Sequence, residues 1–503
     1  MQEILLIYNA RLLDESTDSP GAILAIKGKI RAVYQGYFTD PQTVSELAKA
    51  ILKEDGYKDD SNIELFDAKG LTVTPSFIDM HVHLRDPGLT QKENLETGLK
   101  AAVAGGYGTV VAMPNTKPIT STGEQAREIR ERAAALHYAN MFQVCSITKD
   151  FEGKDVSHLL GLNRAEVPVI SEDGKEVASS AVMLEGMKIA ASKGMIVACH
   201  CEDPELAVAA RPLRKHALEV MKEYNLPSWG SLKNVENVPS AVFEEIDDYL
   251  SDANELLSLA EDVATERNIS IAEQAGCHIH LCHVSTANSI EAVRRAKQKL
   301  ADEAADFYAD MADTAYDCSI EGTQSKPIEP VENGFSVSCE VTPHHIAFCG
   351  TDEPNIRALV NPPLRSEDDR IMLIDAIRDG TVDCISTDHA PHTLEDKADG
   401  APGFTGLETS YGVCNSVLVK EGQISSKRLS QLMSANPARL LKLKKGLLKI
   451  GFDADFSVVN PDEPWTVDSK HFFSKGKATP FEGRTLYGTV KTVFINGKKV
   501  FEK

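Results

Sequence analysis

Basic residues are scarce in this chain: 53 Lys and Arg stand against 75 Asp and Glu in 503 residues, a formal charge of −22. A surface of that sign repels nucleic acid and anionic membranes, so neither is expected as a partner. Long apolar runs are missing too, since no stretch approaches the roughly 18 residues that mark a membrane-spanning helix. The start, MQEILLIYNARLLDE, lacks a basic leader and a small-residue cleavage site, which points to a cytoplasmic location. There is no low-complexity tract and no Gly-rich phosphate loop. A disulfide framework is also absent: the ten cysteines are scattered, several inside apolar runs such as MIVACHC and FSVSCEV, and read as buried reduced thiols. What remains is an ordinary globular balance, 42% hydrophobic and 25% charged. The length suits one large domain with a smaller companion.

Short β-type runs fill residues 1–70 (ILLIYNARLL, AILAIKGKIRAVY, NIELFDAKG) and return over 447–503, where Asn496-Gly497 signals a hairpin turn. The two ends are expected to form one small discontinuous β domain, with residues 71–446 inserted between its halves. In that middle part, eight apolar runs alternate with helical patterns: LTVTPSFIDMHVH, GTVVAMPN, NMFQVCSIT, AEVPVISED, GMIVACH, CHIHLCHVS, GFSVSCEVTPHH and TVDCISTDH. Helices are expected over Lys92–Ala104, Gly123–Leu136, Val177–Ser192 and Ser285–Leu300. Eight βα repeats predict an α/β fold, a parallel (β/α)8 barrel of the TIM type, with chemistry at the C-terminal ends of the strands. Two stretches interrupt the repeat, near 202–258 and 301–333, and the second reads as an acidic, solvated excursion.

Polar residues gather at those strand ends. His81 and His83, two apart on a strand, share a face. Asn115 closes strand two, Asp173 strand four, His200 strand five, His283 strand six and Asp388 strand eight. Four imidazoles and two carboxylates suit two zinc-like divalent ions sharing a bridging carboxylate. His278 and His280 fall on the opposite face of their strand from His283 and read as structural, while His344 and His345 suit hydrogen bonding behind the ligands. Asp388, in STDHAPH, is the candidate to shuttle a proton beside the metals.

The motifs FIDMHVHLRDPG, AMPNTKP, SEDG, CHCED, CHVST, EVTPHH, NPPLR and DHAPH, in this order from about Val73 to Leu443, resemble the cyclic amidohydrolases, and within them the long-chain bacterial dihydroorotase class. The resemblance implies two Zn2+ ions, one held by His81, His83 and Asp388 and the other by His200 and His283, with Asp173 bridging. Glu172 is a rival for the bridge, and Lys175 lies where a modified lysine would be off the strand tip. It further implies that Arg85, Asn115, Asn361 and His392 hold the carboxylate and ring of the substrate. Gly403 and Phe404 match a backbone contact to the ring edge. The implied reaction is reversible closure of N-carbamoyl-L-aspartate to L-dihydroorotate. A homodimer, or a complex with aspartate carbamoyltransferase, is the implied assembly. Hydantoinases, dihydropyrimidinases and allantoinases share the metals but act on other rings, and an inactive scaffold homologue would be expected to lose ligands that are present here. The substrate is an anion in an acidic protein, so local cations must attract it; Arg85 can pair bidentately with a carboxylate.

Overall fold

The apolar runs at the two ends of the chain pair with one another in the computed structural model, which describes residues 4–57, 62–226, 238–315, 334–352 and 359–503. Ile4–Leu13, Asp18–Ile26, Lys29–Gln35, Glu64–Asp67 and Thr72–Pro75 join Phe456–Thr466, Thr485–Ile495 and Lys498–Glu502 in one eight-stranded sheet. The seam between the ends is an antiparallel ladder in which Phe456 faces Pro75 and Val458 faces Val73. Leu5, Leu12, Ile23, Phe456 and Phe494 pack in one cluster on this sheet. Asn496 and Gly497 take φ of 51° and 72°, the left-handed pair a two-residue hairpin requires.

The run LTVTPSFIDMHVH, expected as one strand, is divided at Ser76. Ser76 N–H donates to Asp455 O in the flanking sheet and Phe77 N–H donates to Gly106 O in the barrel, so the chain changes partners there. The barrel strands are then Phe77–Val82, Tyr107–Ala112, Asn140–Gln143 continuing as Cys145–Ser146, Val169–Ser171, Ile196–Cys199, His278–Leu281, Ser336–Val341 and Cys384–Ile385. Their ladders are parallel. Strand three changes neighbours along its length, pairing with strand two through Asn140–Gln143 and with strand four through Cys145–Ser146. The ring closes at the mouth, where Val82 bridges His389 and His83 N–H donates to His389 O at 2.8 Å. This is the TIM-type barrel that eight βα repeats predict.

Local chemistry sets the helix ends. Asn94 caps Leu95–Ala104, Thr122 and Gln125 form a capping box on Gly123–Ala134, and Gly194, at φ 66°, ends Ser180–Lys193. The 202–258 stretch is largely helical: Pro204–Glu223, capped by Asp203, is followed by Ser240–Ala275, which runs unbroken to the turn before strand six. The helix expected over Ser285–Leu300 is Ala287–Ala315. It runs into the acidic excursion because ADEAADFYADMADTA is rich in alanine, the best helix former; the rest of that excursion, 316–333, lies outside the described residues. No helix among the described residues is long and apolar enough to cross a membrane.

Candidate active site

The barrel brings six residues from five strand ends into one buried cluster. His81 Nε2 lies 3.3 Å from Asp173 Oδ1 and 3.7 Å from Asp388 Oδ1, and His83 Nε2 lies 3.1 Å from Asp388 Oδ1 and 3.5 Å from Asp173 Oδ2. On the far side of Asp173, His200 Nδ1 is at 3.6 Å and His283 Nε2 at 3.8 Å, with 2.9 Å between those two nitrogens. His81, His83 and Asp388 offer ligand atoms all within 4.8 Å of one another, and so do His81, Asp173 and His283. His200 stands outside both groups but adjoins His283. Arg85, His283 and Asp388 have φ of 57°, 34° and 47°, a conformation costing about 1–3 kcal/mol for such residues that the surrounding fold must over-determine.

The chemistry of the cluster fits divalent cations. His81 Nε2 and Asp173 Oδ1, which face one another in the cluster, are buried without a hydrogen-bond partner. Each such atom costs about 1–3 kcal/mol if left unmatched, a penalty that shared cations with nitrogen and oxygen ligands remove. Burial works against the charge on Asp173, but the neighbouring His81 prevails and holds its carboxyl well below the ordinary range.

Behind the candidate ligands lies a layer that sequence reasoning missed. Glu340, fully buried on strand seven, meets His81 Nδ1 at 3.0 Å and His280 Nε2 at 3.1 Å and accepts from Ser386 Oγ. A carboxylate on the rear nitrogen fixes the ring and turns Nε2 toward the cluster. The available signal was a charged residue inside the apolar run FSVSCEV, a position that is seldom charged without a partner. His278 binds Ser338 Oγ at 2.9 Å, and His345 binds Thr342 Oγ1 at 2.7 Å and sits 3.2 Å from Pro362 O. His344 packs edge-on against the Phe404 ring, centroids 4.7 Å apart. Glu172 accepts from Thr148 N–H at 2.8 Å and from its hydroxyl, and Lys175 donates to Phe151 O at 2.6 Å, so both are engaged away from the cluster.

The other residues singled out from sequence form its rim. Asn115 accepts from His83 Nδ1 at 2.9 Å and donates to Asp173 Oδ2 at 3.0 Å. Half-buried Arg85 donates from Nε to Pro391 O at 3.4 Å and from Nη2 to His392 Nε2 at 3.2 Å. Burial, then the cations Arg85, Lys92 and Lys397, push His392 down to about 3, which marks this corner as locally positive in an acidic protein. Asn361 sits across the mouth, its Nδ2 donating to Glu202 Oε1 at 2.7 Å and its Oδ1 accepting from Arg214 at 3.2 Å. Gly403 needs to be glycine: at φ 110°, a Cβ there would lie 2.7 Å from that of Ala390. Its N–H donates to Leu359 O at 2.9 Å and its carbonyl accepts from buried Lys397 at 2.8 Å, while the carbonyl of Phe404 accepts from Ala390 N–H at 2.9 Å.

A closed parallel barrel carrying this donor set at its mouth defines a divalent-metal-dependent hydrolase acting on a small molecule. The sequence model of the amidohydrolase family matches residues 72–500. A dihydroorotase of Clostridium botulinum (strain Eklund 17B / Type B) is 35% identical over 500 residues, covering 99% of this chain and all of that protein. A dihydroorotase of Bacillus caldolyticus is 34% identical over 450 residues, covering 88% of this chain and 90% of that one. Among solved structures, an L-hydantoinase from Arthrobacter aurescens superposes with a TM-score of 0.75 at 22% identity, over 100% of this chain and 97% of that one, a likeness of fold. The chain belongs to the amidohydrolase family and, within it, to the dihydroorotases.

Proposed function

We propose that this protein is a zinc-dependent dihydroorotase that interconverts N-carbamoyl-L-aspartate and L-dihydroorotate plus water, a cytoplasmic step of pyrimidine synthesis. The observation that carries the reading is the pairing of a buried His and Asp cluster with a rim where the cations Arg85 and Lys92 flank the His392 ring. A neutral ring gives that rim little to hold, whereas a carboxylate matches the planar fork of Arg85. His81, His83 and Asp388 would hold one zinc ion and His200 and His283 the other, with Asp173 between them. Ions bound there supply a water made acidic near neutral pH and a polarised carbonyl.

The chain's own residues do the rest. Arg85, with Asn115, Asn361 and His392, orients the substrate carboxylate and ring. Gly403 and Phe404 border the ring edge with backbone groups. Asp388 resists the upward push of burial because His83 hydrogen-bonds to it and His81 adds charge, so it stays ionised and able to accept a proton. In hydrolysis, water adds to the ring amide carbonyl, Asp388 takes one of its protons and passes it to the departing ring nitrogen, and the C–N bond breaks to leave the ureido group and a carboxyl that gives its remaining proton to solvent. In closure, Asp388 removes the ureido proton, the nitrogen attacks the side-chain carboxylate, and the displaced oxygen leaves as water carrying that proton, returned by Asp388, and a second one taken up from solvent.

Turnover of dihydroorotate, hydantoin, dihydrouracil and allantoin by the purified protein, with metal content measured on the same sample, tests this. Strong preference for dihydroorotate and about two zinc ions per chain are expected; preference for a neutral ring would sink the reading. A homodimer, alone or with aspartate carbamoyltransferase, is the assembly this reading carries, and sedimentation with and without that enzyme checks it.

A further inference from the structure

The helices Pro204–Glu223 and Ser240–Ala275 do more than cover the barrel. Leu359 is fully buried among Ala217, Val220, Ile246 and Leu250 of these helices. Six residues on, Arg365 donates to Asn254 Oδ1 at 2.7 Å, Leu257 O at 3.1 Å and Glu261 Oε2 at 3.1 Å. Glu261 also accepts from Ser285 N–H at 2.8 Å and Thr286 N–H at 3.0 Å, in the loop that follows His283. Both mouth loops, the one after His283 and the one carrying Asn361, are therefore tied to the helical excursion.

At the centre of this tie is Arg214, on Pro204–Glu223. Its Nη1 donates to Asn361 Oδ1 at 3.2 Å and its Nη2 to Val360 O at 3.1 Å, while Asn361 Nδ2 donates to Glu202 Oε1 at 2.7 Å. A guanidinium only donates and a carboxylate only accepts, so one amide orientation satisfies both; the flipped amide would set NH2 against the guanidinium and oxygen against the carboxylate. Held this way, Asn361 has one N–H and one oxygen lone pair left in a fixed order. That order complements a ring edge in which a carbonyl adjoins an N–H.

We infer that Arg214 is a positioning residue for substrate recognition, locking the amide of Asn361 so that it reads the acyl-urea edge of the ring. The inference rests on the dihydroorotase reading above. It gives the 202–258 stretch a role in the site, and it makes recognition depend on a guanidinium fork that one ammonium cannot replace.

The test uses the full-length protein and its Arg214→Met and Arg214→Lys variants. It measures kcat and KM for dihydroorotate, bound metal, thermal midpoint, and the Kd of orotate as an unreactive ring acid. For Arg214→Met, KM and the orotate Kd are expected to rise about tenfold, the scale of one or two lost charged hydrogen bonds, with kcat, metal content and midpoint close to wild type. Arg214→Lys should recover only part of the loss, and it carries the test alone if the Met variant does not fold. Adding Arg214→Met to Asn361→Ala should cost nothing further if Arg214 acts through Asn361. Unchanged KM and Kd in an active protein would overturn the role of Arg214 alone, as would metal loss with kcat and KM falling together. A wild type that neither turns over dihydroorotate nor binds orotate would overturn both readings.

Discussion

Two arginines at the same mouth are used in opposite ways. Arg85 touches Pro391 O and His392 and makes no other hydrogen bond among the described residues, so its fork remains able to take a carboxylate. Arg214 is bound to the protein by its two Nη groups, through Asn361 and Val360. Arg85, bonded through Nε and Nη2 with Nη1 left over, suits recognition by direct contact, and Arg214, with both Nη groups bonded, recognition by shaping a neighbour. The difference is not visible in residue type or net charge. It follows from which backbone carbonyls and side chains the fold brings within reach.

The contrast can be broken at several points. The largest effect should come from Asp388, which both rims serve: Asp388→Asn should lower kcat by roughly 10²–10⁴-fold, the range for a lost general acid–base, in steady-state assays with metal content measured alongside. Residual activity near wild type would move the proton shuttle elsewhere. Arg85→Met should cut kcat/KM for dihydroorotate by about 10²-fold, the scale of a lost charged, bidentate contact, while bound metal is retained. If metal is lost with it, Arg85 is structural and the comparison with Arg214 collapses. The Arg214 substitutions come next, with a tenfold effect confined to KM.

A last effect, read in stability and not in turnover, belongs to a half-buried histidine outside the rim. Burial, then His280 and Lys297, lower His278 to about 3 in the folded protein. Between an ordinary value near 6.5 and about 3 the unfolded chain binds one more proton at this site, so stability rises with pH across that window and is lost as pH falls, by about 1.4 kcal/mol per unit. His278→Asn should flatten the pH dependence of urea-unfolding free energy between about pH 6.5 and 4 by up to that slope. An unchanged slope would show that His278 does not drive the acid sensitivity.

Much of this was legible because it is local. Period-two spacing put His81 and His83 together, whereas strand six does not follow parity: His280 meets the same Glu340 as His81, and His283 reaches the cluster through a left-handed backbone at φ 34°. The order of apolar runs led to eight parallel strands, and Asn496-Gly497 announced its hairpin. Where the reading fell short, the cause was a contact between distant segments. Ser76 divides one apolar run between two sheets because Asp455, far along the chain, accepts its N–H. Glu340 in FSVSCEV looked like part of a strand, and only the barrel sets it against His81, 259 residues away. The 202–258 stretch carried no ligand pattern, so nothing in its own periodicity tied it to the site.

By itself, then, the sequence determined the strand-and-helix alternation, the candidate ligands at strand ends and the motifs of the family, since all are carried by neighbours a few residues apart. Tertiary structure decided which groups face which. Asn361 meets Arg214 across 147 residues and Glu202 across 159. Asp173 joins the cluster while adjacent Glu172 is taken by Thr148. Such choices depend on hydrogen-bond geometry that exists only after distant segments have packed, so no local pattern encodes them.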